Sequence, residues 1–206
     1  MSLVNMEINC KIATLTLSNP SKLNSLSKGL VDELVQALKT CAEENELVVL
    51  LKAEANKHNV WSAGHDIYEL PEGRRDPLSF FDSIEVLLRE VQNYPGPVIA
   101  VVRGSVWGAA CDLIMTCDMV YADTTATFAI TPAKIGVPYN VTGIMHFMNR
   151  IGLNRGKEMY IPHARLMPRQ PPPGGFSTTF MTSTNLTARS WKLRNRFART
   201  PRWPSE

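Results

Sequence analysis

The sequence predicts an α/β fold with parallel strand pairing, on three observations. Two runs, 46–53 (ELVVLLKA) and 96–104 (GPVIAVVRG), are short and almost continuously apolar, as strands buried on both faces are. Segments of helical spacing lie between and after them, in the strand–helix order that parallel sheets produce. Hydrophobic residues make up 44% and charged residues 20% of the 206, the balance of a folded domain with a sizeable core.

Taken in order, residues 4–18 (VNMEINCKIATLTLS) alternate at period two about Asn9–Lys11, which predicts a β-hairpin. Residues 18–27 are polar and turn-rich, a loop. Leu30, Val31, Leu34, Val35, Leu38 and Cys41 then form a helical stripe, with Ser27 placed as its N-cap. The run 46–53 is a buried strand, and 62–70 (SAGHDIYEL) is a loop turning into a short helix with Asp66 at its start. Residues 71–79 are a polar segment with two prolines, and 80–94 return to helical spacing. Pro97 and Gly104 bound the next strand, and 105–117 (SVWGAACDLIMTC) read as a buried helix that starts on small residues. Short strands at 118–123 and 125–130 follow, then a loop fixed by Gly136 and Pro138, then a helix over 141–160 broken at Gly152.

Beyond residue 160 the character changes. Residues 161–206 hold seven of the 14 prolines, eight basic residues and a single acid, Glu206, for a net charge of +7. Residues 1–160 hold 14 basic and 18 acidic residues, a net charge of −4. The chain therefore divides into a core, 1–160, and a basic Pro-rich tail, 161–206, expected to be poorly ordered. The overall charge of +3 belongs to the tail and is no sign of a nucleic-acid surface on the core.

Several classes drop out. No apolar run reaches the roughly 18–20 residues of a membrane helix. The N-terminus alternates where a signal peptide would be uniformly apolar, so a cytoplasmic protein is expected. The four cysteines form no CxxC pair, and Cys111 and Cys117 lie in apolar surroundings as buried free thiols. No metal site is expected: His65 has no second ligand at i+4, and none of His58, His146 or His163 makes a motif.

Three segments stand out together: WSAGHDIYEL (61–70), VRGSVWGAACDLIMTCDMVYA (102–122) and ATFAITPAKIGVPYN (126–140). In order and spacing they resemble the crotonase (enoyl-CoA hydratase/isomerase) superfamily. The wording, including GSVWG and GVPYN, is most similar to its methylmalonyl-CoA decarboxylase branch. The resemblance covers about residues 1–160 and implies a crotonase-like spiral of ββα units, with the family's C-terminal helical region largely missing here. The abrupt change near 161 is what a shifted reading frame of a GC-rich gene would produce.

The resemblance also implies a chemistry. The substrate is an acyl-CoA, so coenzyme A enters with it and no separate cofactor is needed. The backbone N–H groups of His65 and Ala109 form an oxyanion hole, with Ala109 where the family usually has glycine. Small residues beside them, Ala63 and Gly64, let the backbone approach the ligand. Tyr139 would orient the carboxylate of a malonyl-type thioester, with Thr131 lining the same pocket. Hydratases of this family use two glutamates, and at those places stand Asp112 and Pro132. Asp112 in an apolar helix is a structural acceptor or a residual acid, and a buried carboxylate needs a partner. Coenzyme A contacts carry over to Lys22, Leu23, Ser25, Ala63, Asp66 and Ile67. The expected function is decarboxylation of methylmalonyl-CoA or a close relative, by a homotrimer or hexamer. Beside it stand another acyl-CoA hydratase, isomerase or hydrolase, and a non-catalytic acyl-CoA-binding or truncated subunit.

Overall fold

The structure is a computed structural model that describes residues 2–45, 48–70, 80–132, 137, 139–160 and 178–181. The polar segment 71–79, the loop residues Gly136 and Pro138, and all of the tail except 178–181 lie outside the described residues.

The predicted hairpin is present. β1 (Val4–Asn9) and β2 (Ile12–Leu17) pair antiparallel, with Asn9 opposite Ile12. Cys10 and Lys11 turn between them at φ of 50° and 64°, the two positive values that a tight hairpin matching the strand twist requires. The predicted helix follows as α1 (Lys28–Glu43), where the Ser27 hydroxyl accepts from Leu30 N–H and five of the six stripe residues are buried.

From there the chain repeats one pattern three times. β3 (Val48–Ala53), β4 (Val60–Ser62) and α2 (Ser83–Asn93) make one turn. β5 (Val98–Val102), β6 (Ser105–Trp107) and α3 (Ala109–Thr116) make the next. β7 (Met119–Asp123), β8 (Thr127–Ala129) and α4 (Val141–Tyr160) make the third. The first strand of each turn joins a large sheet in the order β1-β2-β3-β5-β7, parallel from β2 onward. The second strand joins a small parallel sheet, β4-β6-β8. This is a spiral of ββα units.

β4 and β6, of three residues each, are absent from the pattern-based expectation. β6 also falls inside a segment that reads as helix throughout; the helix starts only at Ala109, after Gly108 at φ 52°. α4 breaks at Gly152, as expected, with φ 76° and ψ 161°. The sequence pattern places no element beyond 160, yet β9 (Thr178–Met181) pairs parallel with β7 at the edge of the large sheet.

One core runs between the sheets and the helices, built on Leu15, Leu30, Leu51, Leu87, Val102 and Leu113 among others. Trp61 belongs to it at 2% exposure, and its indole N–H donates to Val101 O at 2.9 Å, tying the small sheet to the large one. Because all three strands of the small sheet run in parallel, their carboxyl ends, at Ser62, Trp107 and Ala129, open onto one edge. The segments that leave that edge are those singled out by the sequence.

Candidate active site

The first wall is built by two strips lying side by side, 19–27 and 61–66. Ala63 N–H donates to Leu23 O at 3.0 Å, and Leu26 N–H to Gly64 O at 2.8 Å. Asn24 is fully buried and donates to Glu54 O and Trp61 O, while Ser62 Oγ donates to Asn24 O at 2.7 Å. Lys22 and Leu23, on a short turn that Pro20 begins, are thereby held beside Ala63 and Asp66. Lys22 Nζ reaches Asp66 Oδ2 at 3.5 Å, its own side chain 64% exposed. Asp66 caps the next short turn, accepting from Tyr68 N–H. Ser25 Oγ is buried and without a hydrogen-bond partner among the described residues. Ile67 points outward, 58% exposed.

The pairing fixes which way the His65 amide faces. Leu26 and His65 form a parallel bridge in which Leu26 N–H serves Gly64 O, and Asp66 N–H is directed at Leu26 O, 3.4 Å away. Backbone groups alternate sides along an extended strand, so the N–H of His65 is turned away from that strip. The imidazole is a bystander here, half-exposed, with Nδ1 3.0 Å from Asp66 O.

Against this wall comes the start of α3. Gly64 has φ +84°, and a Cβ built on it would lie 2.4 Å from Trp107 O and 3.1 Å from Ala109 N. The two backbones touch, and only glycine permits the contact. Ala109 is the first residue of α3, so its N–H is one of the donors a helix leaves without an internal acceptor. The start of α3 thus lies against the residue that precedes His65. Thr131 stands next to it, its Oγ1 3.2 Å from where a Gly108 Cβ would sit, with Pro132 behind it.

One turn along α3 from Ala109, on the same face, lies Asp112, 1% exposed. Its Oδ1 receives His146 Nδ1 at 2.6 Å. Its Oδ2 is buried and has no hydrogen-bond partner among the described residues; the same holds for the hydroxyls of Tyr139 and Tyr160. Tyr139 packs edge-on against Phe147 and Tyr160, with ring centroids 6.0 and 5.4 Å away. Burial raises the Tyr139 pKa well above its ordinary value, and the nearby Asp112 carboxylate raises it further, although the two make no hydrogen bond of normal reach. Tyr160 is raised for the same two reasons. Three buried oxygens, Asp112 Oδ2 and the hydroxyls of Tyr139 and Tyr160, thus lie in this corner without a hydrogen-bond partner among the described residues.

Asn140 braces this corner. Its side chain accepts from Gly143 N–H at the start of α4 and donates to Glu85, a buried carboxylate on α2 whose pKa burial pushes up. His146 is a site residue that sequence pattern missed, since it stands in no motif. The signal that could have found it is Asp112, whose burial demands a partner. The hydrogen bond to Asp112 raises the His146 pKa above its ordinary value. Cys111 and Cys117 are buried free thiols, pushed up to about 12 by burial, and take no part. Among the described residues no group of three or more His, Cys, Asp or Glu is placed to hold a metal, and no helix is long and apolar enough to cross a membrane. His163 lies outside the described residues.

Comparison with known proteins fits this geometry. Residues 7–202 match the enoyl-CoA hydratase/isomerase family, so the match runs well into the tail. The methylmalonyl-CoA decarboxylase of Escherichia coli (strain K12) is 42% identical over 156 residues, covering 76% of this chain and 59% of the relative. The human mitochondrial enoyl-CoA hydratase domain-containing protein 3 is 33% identical over 136 residues, covering 65% of this chain and 44% of the relative. The chain therefore spans about three-fifths of the first relative's length and under half of the second's. Among solved structures, methylmalonyl-CoA decarboxylase in complex with 2-nitronate-propionyl-CoA superposes with a TM-score of 0.89 at 34% identity, covering 97% of this chain and 76% of that one. The decarboxylase complexed with 2S-carboxypropyl CoA gives 0.89 at 33% identity, covering 98% and 77%.

Proposed function

The chain belongs to the enoyl-CoA hydratase/isomerase family, and on that premise we propose that it decarboxylates methylmalonyl-CoA, or a close malonyl-type thioester, to propionyl-CoA or its counterpart. The observation that carries the proposal is the meeting of the His65 segment with the first amide of α3, across a Gly64 that tolerates no side chain. Loss of CO₂ from such a thioester moves an electron pair onto the thioester oxygen as the enolate forms. Two fixed N–H donors aimed at that oxygen stabilise the charge where it appears, in a place that water does not have to reorganise.

The remaining residues divide the work. Tyr139 donates its unpartnered hydroxyl to the departing carboxylate and holds it out of the thioester plane, where the breaking bond overlaps the carbonyl π system. Thr131 lines the acyl side. Lys22 offers a mobile cation to a coenzyme A phosphate, while Leu23, Ser25, Ala63, Asp66 and Ile67 line the path between phosphate and thioester. Hydration is disfavoured because Pro132 offers no acid or base where the family's hydratases have a glutamate, which leaves Asp112 without a second carboxylate to manage a water. The same proposal places the enzyme in the cytoplasm as a homotrimer or hexamer, with no cofactor beyond the coenzyme A of its substrate.

The test is direct. The purified chain is expected to release CO₂ from methylmalonyl-CoA and to leave crotonyl-CoA unhydrated. Hydration without CO₂ release supports the hydratase alternative, and thioester binding without turnover supports the non-catalytic one; either overturns the proposal. His65→Ala keeps the amide and is expected to hold kcat within about fivefold of wild type, whereas loss of a general base costs about 10²–10⁴-fold. A drop of the larger size would return the role to the imidazole.

A further inference from the structure

We propose that Asp112 and His146 act as one proton-delivering unit, in which His146 positions and refills the carboxyl group that protonates the α-carbon of the enolate. The inference rests on the reaction proposed above, which consumes one proton per turnover: CO₂ departs without a proton, and the enolate needs one.

The geometry is built for this by α3 and α4 together. Asp112 lies on the face of α3 that carries Ala109, so a thioester held at the Ala109 amide has its acyl end toward the carboxyl. α4 can approach only because residue 143 is glycine. A Cβ there would lie 2.6 Å from Asp112 Oδ2 and 2.4 Å from the Tyr139 ring. His146 follows one turn after Gly143 on the same face, and this close approach sets its Nδ1 at 2.6 Å from Asp112 Oδ1. Thr116 completes the socket, its hydroxyl donating to Asp112 O at 3.0 Å and lying 3.3 Å from the same ring nitrogen.

The two ends of this unit face different media. Asp112 Oδ2 is buried beside the Tyr139 hydroxyl with no hydrogen-bond partner among the described residues. At the other end, His146 Nε2 lies 2.9 Å from the side-chain nitrogen of Gln92, an exposed residue of α2. The pair thus runs from a buried oxygen between Gly143 and Tyr139 to the exposed Gln92 side chain. The charges facing the imidazole are Asp112 on α3, Glu85 on α2 and Arg150 on α4; the two carboxylates favour its protonated form and Arg150 opposes it.

The proton balance closes as follows. The cycle starts from a carboxylate and a neutral imidazole with its proton on Nδ1, facing Oδ1; a solvent proton added at Nε2 drives the Nδ1 proton onto Oδ1. When it sits on the carboxyl, a half-turn about the Cβ–Cγ bond exchanges the oxygens and brings it to the pocket side. The enolate π electrons then form the new C–H bond, leaving a carboxylate and a neutral imidazole. That imidazole carries the solvent proton on Nε2, and turning the ring over about its Cβ–Cγ bond returns it to the Nδ1 side, so each turnover takes one proton from solvent on the Gln92 side.

The reverse step is the test, since the unit that protonates the enolate must also remove the α-proton of the product. Wild-type protein incubated with propionyl-CoA in D₂O is expected to exchange α-protons, followed by NMR. His146→Gln and Asp112→Asn are each expected to slow exchange at least tenfold while the Kd for propionyl-CoA stays within threefold. Should either variant fail to fold, the wild-type pH profile decides. Exchange needs the proton-accepting form, so its rate should rise with pH and level off above the ordinary imidazole value of 6.5. Exchange at wild-type rate in either folded variant, a flat profile, or no exchange by the wild type overturns the proposal. Parallel measurement of CO₂ release separates the two claims. Exchange without CO₂ sinks the decarboxylation and spares the pair, and CO₂ without exchange does the reverse.

Discussion

Replacing Gly64 with alanine is expected to lower turnover on methylmalonyl-CoA about 10²–10³-fold, the effect of losing one oxyanion donor worth about 2.7–4 kcal/mol. Residue 64 has φ +84°, and the new methyl would lie 2.4 Å from Trp107 O, a backbone atom that no rotamer change can move. Relief requires the β6–α3 junction to shift away from the 61–66 strip. That movement separates the Ala109 amide, 3.1 Å from the same point, from the amide of His65. Steady-state kinetics, with circular dichroism to verify the fold, checks the result. A folded Gly64→Ala protein with less than a tenfold loss would show that the two amides do not act on one oxygen.

Tyr139→Phe is expected to give the second largest effect and a different signature. A hydrogen bond to a charged group contributes about 1.5–3 kcal/mol, so turnover should fall about 10–150-fold. Stability should not fall with it. The ring keeps its edge-on contacts with Phe147 and Tyr160, and the substitution removes a buried hydroxyl that has no hydrogen-bond partner among the described residues. Thermal melts are therefore expected to show an unchanged or higher Tm beside the lost activity. Turnover equal to wild type would remove Tyr139 from the reaction.

The difference between what was legible in the sequence and what was not follows the range of the forces involved. Local signals read well. The hairpin, the Ser27 cap, the Asp66 cap and the break at Gly152 are each decided by a few adjacent residues, and each stands where the pattern puts it. The strips carrying His65, Ala109, Thr131 and Tyr139 could be named from their wording, and the fold brings them to one edge. Their convergence could not be read, because it depends on β4 and β6, strands of three residues whose pairing partners are more than 20 positions away. His146 was invisible for a related reason. Its partner is 34 residues distant, and the residue that lets the two meet, Gly143, reads in isolation as a weak point of a helix.

The repeated ββα turn has a consequence for how such a site can change. The amides proposed to hold the anion come from the first two turns, at residues 65 and 109, where the backbones meet across a Gly64 that leaves no room for a side chain. The groups proposed to decide the fate of that anion, Thr131, Tyr139 and His146, all come from the third turn and its helix, with Asp112 as their anchor in the second. Capture and chemistry are thus inherited on separate stretches of chain. A new reaction on the same thioester could be installed by rewriting residues 131–146, leaving the part of the molecule that recognises the thioester oxygen untouched.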